Sequence, residues 1–207
     1  MLDADTIVVD DMRRWLERAV IGLNLCPFAK AVHTKGQIHY AVSHATDTEA
    51  LRQDLVYELK ELLAQEPSAR DTTLLIAPRM LQEFLDFNDF LGEADAAVQA
   101  LDLEGVVQIA SFHPQFQFGG TAPDDITNYT NRAPYPCLHL LREASVDRAV
   151  AAFPEAEMIF ERNMETLEAL GQDGWDALGV AATAHPQASP LRVAANPLAG
   201  GEPDGPA

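Results

Sequence analysis

Positive charge is scarce in this chain. Its 207 residues hold 14 Lys and Arg against 32 Asp and Glu, a formal net charge of −18. That balance argues against nucleic acid or an anionic membrane surface as the partner, since both are gripped by basic patches. Cysteine is scarcer still, with two residues, Cys26 and Cys137. They could pair, but a chain of this size builds a core without a staple, so reduced thiols and a cytoplasmic location are expected. No apolar run approaches the roughly 18 residues of a membrane helix. The opening M-L-D-A-D-T is acidic where a secretory signal would be basic. Metal-binding spacings are missing too: the six histidines (His33, His39, His44, His113, His139, His185) show no H-x-x-x-H, and there is no C-x-x-C. No G-x-S-x-G elbow and no internal repeat is present. The expectation is therefore no metal, a cofactor that composition leaves open, and an oligomeric state it does not address.

What is present reads as alternating helices and strands. Val8, Met12, Trp15, Leu16, Ala19 and Leu23 form one apolar stripe at helical period, which should stop near Cys26 because Pro27 disfavours a helical predecessor. Pro27 then suits the start of a short helix with Cys26 as its N-cap, closed at Gly36. Gln37–Ser43 alternates as a strand, with Ile38, Tyr40 and Val42 on one side. Thr46 and Glu49 resemble a capping box ahead of a helix carrying Leu51, Leu55, Leu59 and Leu62. Thr72–Ala77 reads as a buried strand stopped by Pro78. A helix from about Gln82 to Leu103 follows, with Phe84, Leu85, Leu91, Val98 and Leu101 inward and Gly105 at its end. Val106–Phe112 is the third strand and Cys137–Leu141 the fourth, with His39 and His139 mid-strand where they could meet across a sheet. Ser145 caps a turn through Val150, and Pro154 and Gly171 bracket a final helix carrying Ile159, Phe160, Met164, Leu167 and Leu170.

This order, α-βα-βα-β-loop-β-α, predicts one α/β domain over 1–172 with a mixed, mainly parallel four-stranded sheet flanked by helices. It is also compatible with a thioredoxin-like topology. Periodicity fades from about Asp173, so 173–207 is expected to be a poorly structured segment and tail.

The stretch Ser111–Cys137 stands apart: four prolines, five aromatics, a Gly-Gly pair and three formal charges, Asp124, Asp125 and Arg132. Loops beyond about 12–15 residues are usually functional or disordered, and disorder needs few aromatics and much charge. An ordered, functional loop at the carboxyl end of the third strand is the expectation, where α/β sheets place their ligands.

Two segments resemble the signatures of a bacterial family of small soluble proteins catalogued only as a domain of unknown function. They are R-W-L-E-R-A-V-I-G-L-N-L-C-P-F-A (14–29) and S-F-H-P-Q-F-Q-F-G-G…N-Y-T-N-R-A-P-Y-P-C-L-H-L-L-R (111–142). The resemblance implies a similar length and no particular activity.

Chemistry must then come from the residues. Arg132, among the amides of Asn128 and Asn131 and near Tyr135, suits an anionic group; alternatively it pairs with Asp124 or Asp125 to hold the loop shut. His113 titrates near working pH and is the acid/base candidate, or a buried histidine bonded to backbone. Asp124 and Asp125 suit a helix N-terminus, leaving one free to orient His113. Gly119 and Gly120 could admit an anion to backbone N–H groups, or merely turn the chain. Cys26 at a helix N-terminus would be a low-pKa thiol, or else a small buried hydrophobe. C-P-F-A is superficially similar to the C-P-F-x start of glutaredoxin-like active sites, but Ala29 replaces the second cysteine and a helix precedes the motif. Three readings follow: an enzyme or specific binder of a small anionic metabolite at the 111–137 loop, a thiol redox protein using Cys26, or a protein-interaction module presenting Phe116, Phe118, Tyr129 and Tyr135.

Overall fold

The computed structural model describes residues 3–153 and 155–183. Pro154, His185 and the tail beyond Pro186 lie outside them. Among the described residues the strands form one four-stranded sheet in the order β1-β2-β4-β3, with β1 Ile38–Val42, β2 Thr72–Ile76, β3 Val107–Phe112 and β4 Cys137–Arg142. β1 and β2 pair in parallel, while β4 runs against both β2 and β3. Three of the four strands thus point the same way. Their register places Val42 beside Ile76, Ile76 beside Cys137, and Cys137 beside Phe112. The carboxyl ends of β1, β2 and β3 therefore lie at one end of the sheet, and the two ends of the long loop are register partners.

Helices cover both faces. Helix α3 (Thr48–Ala64) and helix α4 (Phe84–Ala100) bury Leu51, Leu55, Leu59, Leu62, Phe87, Phe90 and Ala94 against Leu75, Leu138 and Leu140. On the opposite face lie helix α1 (Ala4–Trp15), a π-helical turn (Leu16–Ile21) and helix α6 (Ile159–Ala177). They pack Met12, Trp15, Ala19 and Leu167 with Leu74, Ile76 and Cys137. β2 is sandwiched between the layers and all five of its residues are buried, Leu74, Leu75 and Ile76 as apolar core and Thr72 and Thr73 with their hydroxyls hydrogen-bonded. Helices α2 (Ala29–Thr34) and α5 (Glu143–Ala151) lie peripherally. Among the described residues no helix is long and apolar enough to cross a membrane.

Several local expectations shift. The π-helical turn rotates the stripe after Trp15 and brings the chain so close at Gly22 that a Cβ there would stand 2.2 Å from the Arg18 carbonyl oxygen. Asp47, not Thr46, caps α3, its carboxylate accepting the Ala50 N–H at 2.8 Å. Helix α4 turns Phe87 and Phe90 inward, while Leu85 is 75% exposed. His39 and His139 do not meet. His39 shares its face with Thr73, on the α3 side, whereas His139 aligns with Leu74 on the α1 side. Gly171, with φ 65° and ψ 178°, breaks α6 into two helical segments that meet at a kink, so the segment carrying Leu167 and Leu170 stops there as expected, while Asp173–Ala177 form a further helical stretch. The chain continues to Thr183 against α1: Arg14 donates to the Gly179 and Ala181 carbonyls and Arg18 to that of Leu178.

Candidate functional site

The long loop is ordered, and its polar groups answer one another. Asn128 is fully buried; its Oδ1 accepts from the Phe118 N–H (2.9 Å) and the Thr121 hydroxyl (2.8 Å), and its Nδ2 donates to the Ala122 carbonyl (2.9 Å). That side chain ties off the Gly119-Gly120 turn, where both glycines are exposed and Gly120 takes φ 86°. Asn131 Nδ2 donates to the Ser111 carbonyl at 3.0 Å, and its own carbonyl accepts the His113 N–H at 3.1 Å. Asp125 caps the 3-10 turn Ile126–Thr130 through the backbone N–H and hydroxyl of Thr127, while Asp124 is exposed.

Arg132 does not reach either aspartate. Its Nε donates to the Phe116 carbonyl (3.2 Å) and its Nη2 to that of Pro123 (2.6 Å), with the guanidinium 4.3 Å from the centre of the Tyr129 ring. The fork is a clamp across the loop. His113 is wholly buried between Phe84 and Phe87. Its Nδ1 accepts the Gln115 N–H (3.0 Å), which leaves Nε2 to donate to the Leu81 carbonyl (2.9 Å). Burial lowers its pKa, so the neutral ring is held with both nitrogens engaged. Tyr135 is buried and gives its hydroxyl to Asp11 at 2.7 Å. The loop's rings pack inward as well: Phe116 on Phe84 and Phe118, Tyr129 on Trp175. The side chains predicted within 111–137 thus lie in one ordered loop without converging on a common point.

Cys26 is not a helix N-cap. Phe28 holds that position for the six-residue α2, and Cys26 lies in the preceding turn with its carbonyl accepting the Ala29 N–H. Burial raises its thiol pKa against the opposing N–H groups of Phe28 and Ala29, and both cysteines are free thiols.

The cleft lies elsewhere. At the carboxyl end of β1, a depression of about 410 Å³ opens between that strand and α3. Ala41, Ala45, Ala50 and Leu75 give it an apolar floor; Ser43, His44, Asp54, Tyr57 and Glu58 supply the polar rim. Ser43 is buried and donates to Asp54 Oδ2 at 2.6 Å, and its Oγ accepts the Ala45 N–H at 3.1 Å, fixing the turn after β1. Glu58 is paired with Arg70, which also holds Thr73 at 2.9 Å. His44 turns to Asp5 at 2.9 Å, and Tyr57 is 60% exposed. None of the residues expected from the sequence lines this cleft. Among the described residues no group of three or more His, Cys, Asp or Glu is placed to hold a metal ion.

A family model spans residues 7–177 of the chain. The chain belongs to the family described as protein of unknown function (DUF1415). No curated protein and no solved structure matches it. For this DUF1415 member the chemistry therefore comes from the geometry alone. The cleft residues left a signal in the sequence that hydrophobic stripes hide: Ala50, Asp54, Tyr57 and Glu58 recur at i, i+4, i+7 and i+8, one flank of α3 beside its leucine stripe. Asp11 left one too, a carboxylate at i+3 from Val8 and i−4 from Trp15, inside the apolar stripe of α1.

Proposed function

We infer that this chain is a binding protein whose site is the β1–α3 cleft, taking a small ligand that carries an amine or guanidinium group. The observation that carries the reading is Asp54. One carboxylate oxygen is oriented by Ser43, and the group stands on the rim of an apolar-floored depression at the carboxyl end of a strand, where ligands sit in α/β sheets. The exposed ring of Tyr57 beside it offers a face to a cation, and the net charge of −18 favours the approach of positive ligands. Ser43 gives its proton to a carboxylate and not to an imidazole, which supports binding over acyl-transfer chemistry.

An anionic metabolite gripped at the 111–137 loop would require Arg132 to release the Phe116 and Pro123 carbonyls. A redox role would require a thiolate that burial of Cys26 opposes. Melting with a panel of alkylamines and guanidines against carboxylates and phosphates decides between the first two. Saturation at about 100 times Kd adds about 2.7 kcal/mol, a shift of several degrees. The amine series should raise Tm in the parent chain and not in Asp54→Asn. A shift by anions that disappears in Arg132→Ala would return the site to the loop.

A further inference from the structure

The two edges of the sheet are finished differently. On β3, residues of one parity face away from β4, and the chain itself covers both ends of that edge, with the backbone groups of Ile109 between them. The Val107 N–H donates to the Leu103 carbonyl, the Ser111 carbonyl accepts from Asn131 Nδ2, and the His113 N–H donates to the Asn131 carbonyl. On β1, the Gln37 carbonyl and the Ser43 N–H engage the β2 side, so odd positions face the sheet and Ile38, Tyr40 and Val42 turn their backbone groups outward. Among the described residues, no hydrogen bond reaches those outward groups of Tyr40 and Val42. The strand I-H-Y-A-V also lacks the lysine, proline or bulge with which proteins usually blunt an open edge.

The open edge is the wall of the cleft. Ala41 and Ser43 point to the α3 side and line it, opposite Asp54 and Tyr57. We propose that β1 accepts a short extended peptide segment as a fifth strand, with a lysine or arginine side chain of that segment lying in the cleft against Asp54 and Tyr57. Backbone bonding to the open edge supplies affinity, and alternate side chains entering a pocket supply selectivity. Charge selects the occupant: a second copy of a chain carrying −18 repels itself, whereas a basic segment is drawn in. The proposal rests on the cleft reading above and narrows its ligand from any amine to a peptide.

The test uses the full chain and positional-scanning mixtures of blocked hexapeptides, with lysine or arginine fixed at each position in turn. Amide hydrogen exchange is read at Tyr40 and Val42. At least one basic mixture should slow both amides about tenfold or more. Methylating alternate backbone nitrogens of the bound peptide should abolish the effect in one register, and Asp54→Asn, which keeps an acceptor for the Ser43 hydroxyl, should weaken the basic peptides. If no mixture protects these amides while propylamine still raises Tm through Asp54, strand addition is overturned and the cleft reading stands. If propylamine also fails, both fall. Protection of the same amides that grows with protein concentration in the absence of peptide would make a second copy the occupant and overturn the peptide assignment.

Discussion

The hydroxyl of Tyr135 donates to the buried carboxylate of Asp11 at 2.7 Å, joining the end of the long loop to the first helix across 124 positions of chain. The same carboxylate accepts from the backbone N–H of Thr183 (2.7 Å), the Thr183 hydroxyl (2.7 Å) and Arg14 (2.5 Å). One acid thus gathers the loop, the amino-terminal helix and the last described segment. Burial pushes its pKa up, but the Thr183, Tyr135 and Arg14 donors outweigh that and hold it below the usual carboxylate range.

Asp11→Ala should cost about 3–5 kcal/mol, because it strands several buried donors together. Tyr135→Phe should cost about 1.5–3 kcal/mol, the value of one hydrogen bond to a charged acceptor. Denaturant unfolding measures both. Hydrogen exchange at Thr183 should accelerate in Asp11→Ala well before global unfolding, and unchanged protection there would show that Asp11 does not anchor that segment.

Replacing Arg132 or His113 should damage the fold and leave ligand response untouched. Arg132→Ala frees the carbonyls of Phe116 and Pro123, and Arg132→Lys should not rescue it, since one ammonium cannot reproduce a planar fork. His113→Leu leaves the Gln115 N–H and the Leu81 carbonyl without their partner, a loss of about 1–3 kcal/mol for each buried group. Limited proteolysis between residues 114 and 126, run beside melting with propylamine, separates a loosened loop from a lost site.

The architecture was legible because its signals are periodic. The leucines of α3, the buried run of β2 and the stripe from Val8 to Trp15 each imply an element and a buried face. Asn128 and Arg132 were legible as unusual, but not in their roles. A polar side chain in a long loop reads the same whether it meets a ligand or its own backbone, and only the path of the loop decides. Asp54 and Tyr57 were hidden for the opposite reason: polar residues on an amphipathic helix are expected to face water, and nothing local shows that β1 stands at an open edge beside them.

Two glycines should respond differently to alanine. At Gly22 a methyl would collide with the Arg18 carbonyl oxygen, which belongs to backbone and has little room to retreat, so Gly22→Ala should cost about 1–3 kcal/mol or more. Gly36 has open space around it but sits at φ 67°, so Gly36→Ala should cost about 1 kcal/mol from backbone strain alone. Equal losses in denaturant unfolding would mean that the close approach at Gly22 relaxes without penalty.

Acid should weaken the fold through His139. Its Nε2 sits 2.6 Å from the Thr72 hydroxyl, whose own proton goes to the Leu140 carbonyl, also at 2.6 Å. Nε2 must then be the protonated nitrogen of a neutral ring. Burial lowers the pKa of that ring to about 4 from an ordinary 6.5. Between those values the unfolded chain binds the proton and the folded chain does not, so stability is complete above pH 6.5 and falls as pH drops towards 4. The full difference is at most about 3 kcal/mol. His113, whose pKa burial also lowers, adds in the same direction. Unfolding free energies of the parent chain and His139→Gln, measured from pH 7 down to pH 4, should converge as the pH falls, because the variant lacks the imidazole that the unfolded parent protonates. Parallel curves would show that His139 is not the group that couples acid to unfolding.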